Sequence, residues 1–289
     1  MDPRCYLFVP GDSARKQEKS LDSGADALIL DIEDSVAPGA KEEARRITAD
    51  FLSRPAPMRR FVRVNALDTG LAEDDVAATA PGMPDGYVLP KCEGKGDIEA
   101  LSRLIARHGG GDAVIFAIAT ETVRGVRNLL SSDWDHPRLA AMTWGAEDLA
   151  ADMGAIRNRG DDGAYYTPFR FARDAMLFAA KDAGVTAVDS VYTDFRDEAG
   201  LIEEATEALD CGFTAKMAIH PAQVAPIQSV FTPTEEQVDW ARKIVAAMDG
   251  AGANGAGAGV AQIDGKMIDR PHLKSAQKIL DRWKTFGRP

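Results

Sequence analysis

The chain has 289 residues, 45% hydrophobic and 27% charged, which suits one large domain or two small ones with an ample core. Its formal charge of −11 argues against nucleic acid or an anionic membrane as partner, and leaves room for anionic substrates only where basic residues cluster. Three cysteines without motif spacing (Cys5, Cys92, Cys211), no apolar N-terminal core for a signal peptide, and no run near the ~20 apolar residues of a membrane span lead us to expect a soluble cytoplasmic protein.

In chain order, Tyr6–Val9 is a short apolar run stopped by Pro10-Gly11. Ser13 can cap the polar segment that follows, and Gly24 can end it. ALILDI (Ala27–Ile32) is a second strand running into Glu33 and Asp34. Lys41–Leu52 reads as a surface helix, and FVRVN (Phe61–Asn65) as a third strand carrying Arg63. GYVLP (Gly86–Pro90) is a fourth, with Lys91 at its end. Ile98, Leu101 and Ile105 mark one face of the next helix.

Ala113–Leu149 then holds two apolar runs that each end in acid, Glu121 for the first and Asp148 for the second, with the helix-length segment VRGVRNLLSSDWDHPRL between. Short apolar runs bounded by turn signals read as strands buried on both faces. As parallel neighbours they bring two carboxylates to one end, where a divalent cation is the usual counter-charge. Solvated strand-end acids or helix caps are the plainer alternative. The glycine- and charge-rich loop 152–167 is long enough to be functional, and Tyr165 and Tyr166 are its candidates for closing over a site. A helix over Pro168–Ala183, a seventh strand over Ala187–Tyr192 and an eighth over Thr214–Ile219 complete the alternation. His220, after the eighth strand, reads as a structural hydrogen-bonding residue.

Eight strands, each followed by helix or loop and joined by no hairpin signal, predict an α/β (β/α)8 TIM barrel. A doubly wound sheet fits less well, because Pro10-Gly11-Asp12 is a poor match to its Gly-rich first turn. Active sites of such barrels lie at the C-terminal strand ends, where Asp31, Glu33, Asp34, Arg63, Lys91, Glu121, Asp148, Asp189 and His220 collect. Arg63 either binds substrate or pairs with Glu33 or Asp34. Lys91 either contacts substrate or neutralises the acidic ring. Beyond the barrel, Thr232-Pro-Thr-Glu235 reads as a capping box, DGAGANGAGAG as a flexible linker, and Leu273, Ala276, Leu280 and Trp283 as one face of a last helix. Asp269 is a fair N-cap for that helix. The expected organisation is a barrel over 1–231, a helix and linker over 232–259, and a C-terminal lid or arm over 260–289.

LFVPGD, SGADALILDIEDSV, RVNALDTG, VLPKCEG, ATET, WGAEDLAADMG, AIHPAQV and DGKMIDRPHLKSAQKIL occur in that order. Together they resemble the citrate lyase beta-subunit-like family, which includes malyl-CoA and citramalyl-CoA lyases. The resemblance implies a Mg2+-dependent barrel that makes or breaks a carbon–carbon bond between an acyl-CoA thioester and a 2-oxo acid. It implies homotrimers or hexamers in which the C-terminal arm completes a neighbouring subunit's site. Carried over residue by residue, Glu121 and Asp148 are the implied Mg2+ ligands, and Arg63 holds the oxo-acid carboxylate and carbonyl. Glu33 and Asp34 bond metal-bound waters, and Asp269 is the acid/base of the lid. SARKQEKSL departs from the basic pattern that relatives place near the CoA phosphates, so Arg15, Lys16 and Lys19 match that role loosely. The first histidine is His108, on a predicted helix, which argues against the related sugar-acid aldolases with their early-barrel histidine base. The implied activity is a lyase acting on malyl-CoA, methylmalyl-CoA or citramalyl-CoA. A citryl-acyl-carrier-protein lyase subunit of a citrate lyase complex and a malyl-CoA thioesterase are the alternatives.

Overall fold

The computed structural model describes residues 3–253 and 260–287. The chain divides into two compact units, Met1–Gln228 and Ser229–Pro289. In the first, strands β1 (Cys5–Pro10), β2 (Ala27–Asp31), β3 (Arg59–Arg63), β4 (Gly86–Leu89), β5 (Val114–Ile118), β6 (Leu139–Thr143), β7 (Thr186–Asp189) and β8 (Ala215–Ala218) close a parallel barrel in sequence order. Helices α1 (Ala14–Ser20), α2 (Lys41–Leu52), α3 (Ala72–Thr79) and α4 (Lys95–Arg107) follow the first four strands. After β5 and β6 come α5 (Val123–Leu129), α6 (Glu147–Met153) and α7 (Thr167–Asp182). After β7 and β8 come α8 (Glu198–Cys211) and α9 (Val224–Val230). The expected (β/α)8 architecture is therefore present. Among the described residues no helix is long and apolar enough to cross a membrane.

Alternate residues of every strand point to opposite faces. Tyr6, Ile29, Phe61, Val88, Phe116, Val188 and Met217 belong to one buried cluster fed by all eight strands, which makes it the barrel interior. Tyr6 packs its ring against Phe61 and Phe116 at 5.6 and 5.2 Å. Gly86 is required there, since a Cβ would come within 2.6 Å of the Val114 carbonyl and 2.8 Å of the Phe61 ring. The same parity runs to the strand ends. Asp31 follows Ala27 and Ile29 inward, Arg63 follows Phe61, and the β2–β3 register sets Asp31 opposite Arg63.

Three local expectations need correction. The segment between β5 and β6 is helical only to Leu129, and residues 130–138 turn with the Asp133 carboxylate accepting the Asp135 N–H at 2.7 Å. Asp148 is not at a strand end. The chain leaves the sheet after Thr143, Thr120 Oγ1 captures the Gly145 N–H at 2.9 Å, and Asp148 falls in the first turn of α6, where a carboxylate suits the helix dipole. The loop expected over 152–167 shortens to 154–166, because α6 runs to Met153 and Gly154 caps it in the left-handed conformation.

In the second unit, α10 (Glu235–Ala253) is capped by Thr234 and Gln237 rather than by Thr232 and Glu235. Each side chain of that pair bonds the other's backbone N–H. The helix takes up the first residues of the expected linker, whose remainder, 254–259, lies outside the described residues. Strands β9 (Val260–Ile263) and β10 (Lys266–Asp269) form an antiparallel hairpin ahead of the expected helix. Asp264-Gly265, both at positive φ, is its two-residue turn. Helix α11 (Arg270–Phe286) follows, and Ala241, Ile244, Ile268 and Ala276 are the buried centre of this unit.

Candidate active site

A cavity of about 440 Å3 opens at the C-terminal strand ends of the barrel. Asp31, Asp34, Arg63, Glu121, Glu147 and Asp148 contribute its charged lining, and Phe8, Trp144, Tyr165 and Met217 much of its apolar lining. Arg63 lies over the Phe8 ring at 4.8 Å and donates from Nε and Nη2 to the two oxygens of Asp31, each at 2.7 Å. Its remaining nitrogen, Nη1, is 3.2 Å from Glu33 Oε2 and 3.9 Å from Asp34. The structural partner of Arg63 is thus chiefly Asp31, a residue to which the sequence reading gave no role of its own. Burial alone would raise the Asp31 pKa, but the Arg63 fork and hydrogen bonds from the Ser35 and Glu33 N–H groups outweigh it and hold the carboxyl below its ordinary value. Asp31 therefore fixes both the guanidinium and the turn that carries Glu33 and Asp34.

Lys91 stands at φ +50°, a left-handed conformation uncommon for a residue with a side chain. In that conformation its N–H donates to Glu121 Oε2 at 2.6 Å while Nζ reaches Glu33 Oε1 at 2.8 Å and Asp148 Oδ1 at 3.4 Å. One residue thus touches three acids of the site. Glu33 is buried and turned toward Lys91 and Arg63, with burial raising its pKa, whereas Asp34 is exposed at the cavity edge.

Glu121 is buried and accepts the Lys91 N–H. Burial first, and then the Asp148 charge, push its pKa up to about 8. Gly145 packs beside it, where a Cβ would stand 3.1 Å from Glu121 Cγ. A desolvated carboxylate next to a second one is short of positive charge, which is what a bound cation supplies. Among the described residues no group of three or more His, Cys, Asp or Glu side chains is arranged to hold a metal. A pair of carboxylates with positions left for water and substrate fits magnesium better than a metal caged by protein alone.

The other expected residues separate. Asp189 is fully buried and turned away from the cavity: Val188 points into the barrel, so Asp189 faces the helices, where it binds Lys216, Arg173 and the Trp144 indole N–H. His220 is structural as expected, accepting the Ala222 N–H and stacking on Phe195 at 4.6 Å. Tyr165 lines the cavity and Tyr166 is exposed. Arg15, Lys16 and Lys19 lie on or next to the short exposed face of α1. Asp269, in the second unit, is the N-cap of α11, and its Oδ1 is 2.5 Å from His272 Nδ1.

A family model described as HpcH/HpaI aldolase/citrate lyase matches residues 4–221. The chain belongs to that family. Its members similar to this chain include a (3S)-malyl-CoA thioesterase of Cereibacter sphaeroides, 36% identical over 96% of this chain and 93% of that protein. The mitochondrial citramalyl-CoA lyase of Rattus norvegicus is 35% identical over 96% and 85%, and the citrate lyase beta subunit of Escherichia coli is 34% identical over 98% and 94%. Among solved HpcH/HpaI aldolase/citrate lyase structures, CitE of Mycobacterium tuberculosis in complex with magnesium, acetoacetate and coenzyme A superposes with a TM-score of 0.80 at 33% identity, covering 96% of this chain and 97% of that one.

Proposed function

We propose that this protein is a magnesium-dependent carbon–carbon lyase that splits, or forms, a 3-hydroxyacyl-CoA such as malyl-CoA or citramalyl-CoA into an acyl-CoA and a 2-oxo acid. The observation that carries the reading is one cavity presenting both a charge-deficient carboxylate pair, Glu121 and Asp148, and a pre-oriented guanidinium, Arg63. The magnesium- and coenzyme A-bound CitE structure and the lyases among the relatives support it.

Glu121 and Asp148 would hold the cation, and Glu33 and Asp34 would bond water on it. When bound, magnesium would supply Lewis-acid polarisation of the substrate's 3-hydroxyl oxygen, which becomes the carbonyl oxygen of the 2-oxo acid. Arg63 binds the oxo-acid carboxylate through the guanidinium edge that Asp31 does not occupy, its plane set by Asp31 and Phe8. Lys91 balances the acids and approaches the substrate. In the cleavage direction the 3-hydroxyl proton passes to water as the C–C bond breaks, and Asp269 gives a proton to the enolate carbon; in the condensing direction Asp269 removes a proton from the acyl carbon and the new alkoxide takes one from water. That role requires Asp269 to reach a barrel mouth, its own or a neighbouring subunit's in a trimer or hexamer.

The test is incubation of the purified protein with Mg2+ and malyl-CoA, citramalyl-CoA or β-methylmalyl-CoA, with product masses read against an EDTA control. An acyl-CoA plus a 2-oxo acid, lost with EDTA, is the expected result. A free hydroxy acid plus CoA would move the assignment to the hydrolysis named for the Cereibacter relatives. Turnover only with an added acyl carrier protein would move it to a citrate lyase subunit.

A further inference from the structure

Loop 154–166 folds back on itself through an antiparallel bridge between Arg159 and Tyr165. Most of the loop faces solvent, Ile156 entirely so, yet Tyr165 is turned inward. Tyr165 lines two cavities: the candidate site of about 440 Å3 and a polar cavity of about 630 Å3 lined also by Arg159, Arg173 and Glu204 among others. The ring meets Trp144 in a T-shaped contact with centroids 4.9 Å apart, and the Arg159 guanidinium covers its face at 3.5 Å.

Both neighbours are anchored. Arg159 donates to Glu204 Oε2 at 2.6 Å and to the Gly163 carbonyl at 2.8 Å. Lys216 Nζ bonds Glu204 Oε1 at 2.9 Å and Asp189 Oδ2 at 2.6 Å, and the Trp144 indole donates to Asp189 Oδ1 at 2.8 Å. Trp144, Tyr165, Arg159, Glu204, Lys216 and Asp189 therefore close a circuit of side chains, with Lys216 and Asp189 at 0% exposure. A buried lysine between two carboxylates is a poor investment in stability but a strong constraint on geometry, because each member is held by directional bonds that burial makes costly to break. What this circuit constrains is the aromatic wall of the cavity.

Once Arg63 and the carboxylate pair hold the carboxylate and carbonyl of a 2-oxo acid, the rest of its carbon chain is left with the apolar lining. A ring held between Trp144 and the Arg159 guanidinium cannot yield to an added methylene. We propose that Tyr165 sets the size limit on the 2-oxo acid and that Arg159 is its positioning residue. The inference rests on the reading of this cavity as a 2-oxo-acid site.

The experiment is calorimetric titration of glyoxylate, pyruvate, 2-oxobutyrate and 2-oxovalerate into the full-length protein in Mg2+ buffer. Wild type should favour the short acids. Tyr165→Ala should shift the affinity ratio of short to long acids by about 10-fold or more toward the long ones, the range a single methylene commands in an apolar pocket. Tyr165→Leu, a milder truncation, should shift it in the same direction, and Tyr165→Phe, which keeps the ring, should keep the ratio. Arg159→Met should relax the ratio with Tyr165 still in place, whereas a merely structural arginine would weaken all four acids alike. An unchanged ratio in both Tyr165→Ala and Tyr165→Leu overturns the inference and leaves the 2-oxo-acid reading standing. Binding of none of the four acids by wild type overturns that reading and the inference with it.

Discussion

Asp31 and Arg63 face each other across the β2–β3 register and are joined by two parallel hydrogen bonds of 2.7 Å. Such a fork orients as well as neutralises, and an ammonium cannot reproduce it. Arg63→Lys should therefore fold, keep its charge, and lose turnover by about 100-fold or more, as misplaced binding groups do. Arg63→Met should also lose stability, by about 3–5 kcal/mol, because it strands the buried Asp31 carboxylate. Denaturant unfolding and turnover on the same preparations separate the two effects. Near-normal turnover in Arg63→Lys would show that charge alone suffices.

Glu121 predicts a pH dependence of opposite sign to that of Asp31. Its pKa is raised from 4.5 to about 8 in the folded protein. Between those values the folded chain holds a proton that the unfolded chain releases, so without metal stability falls as pH rises across this window, and the group contributes no slope below or above it. Glu121→Gln removes the slope, and in EDTA at pH 8 it should be more stable than wild type by a few kcal/mol. Because the cation binds the deprotonated form, Mg2+ should raise the wild-type melting temperature more at pH 8 than at pH 6, and should leave Glu121→Gln unmoved. Equal pH slopes for the two proteins in EDTA would count against the assignment.

Lys91 carries two functions that substitution can divide. Lys91→Gly keeps the N–H bond to Glu121 and accepts the positive φ, while Lys91→Val strains it at a cost of about 1–3 kcal/mol. Both lose the ammonium between Glu33 and Asp148. Turnover per folded molecule should fall about equally in the two, by roughly 10-fold or more on electrostatic grounds. A much larger loss in Lys91→Val would instead make the placement of Glu121 the dominant role of this residue.

The barrel was legible because β–α alternation is written in apolar periodicity, and much of the charged lining because it falls at strand ends. Asp31 and Arg63 lie on inward parity and can be paired once β2 and β3 are neighbours. Asp148 was misplaced because the break after Thr143 depends on Thr120 capturing Gly145, a contact between residues 25 apart that no local pattern announces. Lys216 escaped for the same reason, since its carboxylates come from β7 and α8. The hairpin of the second unit was different: Asp264-Gly265 carried the signal in plain sight.

Asp269 offers the sharpest separation of a structural from a chemical role. It caps α11 and pairs with His272, so removing its carboxylate by Asp269→Ala should cost the second unit about 1 kcal/mol and abolish turnover together, which leaves the cause ambiguous. Asn is as good an N-cap as Asp but cannot take up a proton. Asp269→Asn should therefore keep α11 and the thermal stability of wild type while losing turnover by about 100-fold or more, the scale of general acid–base catalysis. Mg2+ and 2-oxo-acid binding should persist, because in this reading those ligands are held by Glu121, Asp148 and Arg63 of the barrel. A stable Asp269→Asn protein with wild-type turnover would reduce Asp269 to a helix cap. Loss of 2-oxo-acid binding in that protein would make it a binding group instead of a proton carrier.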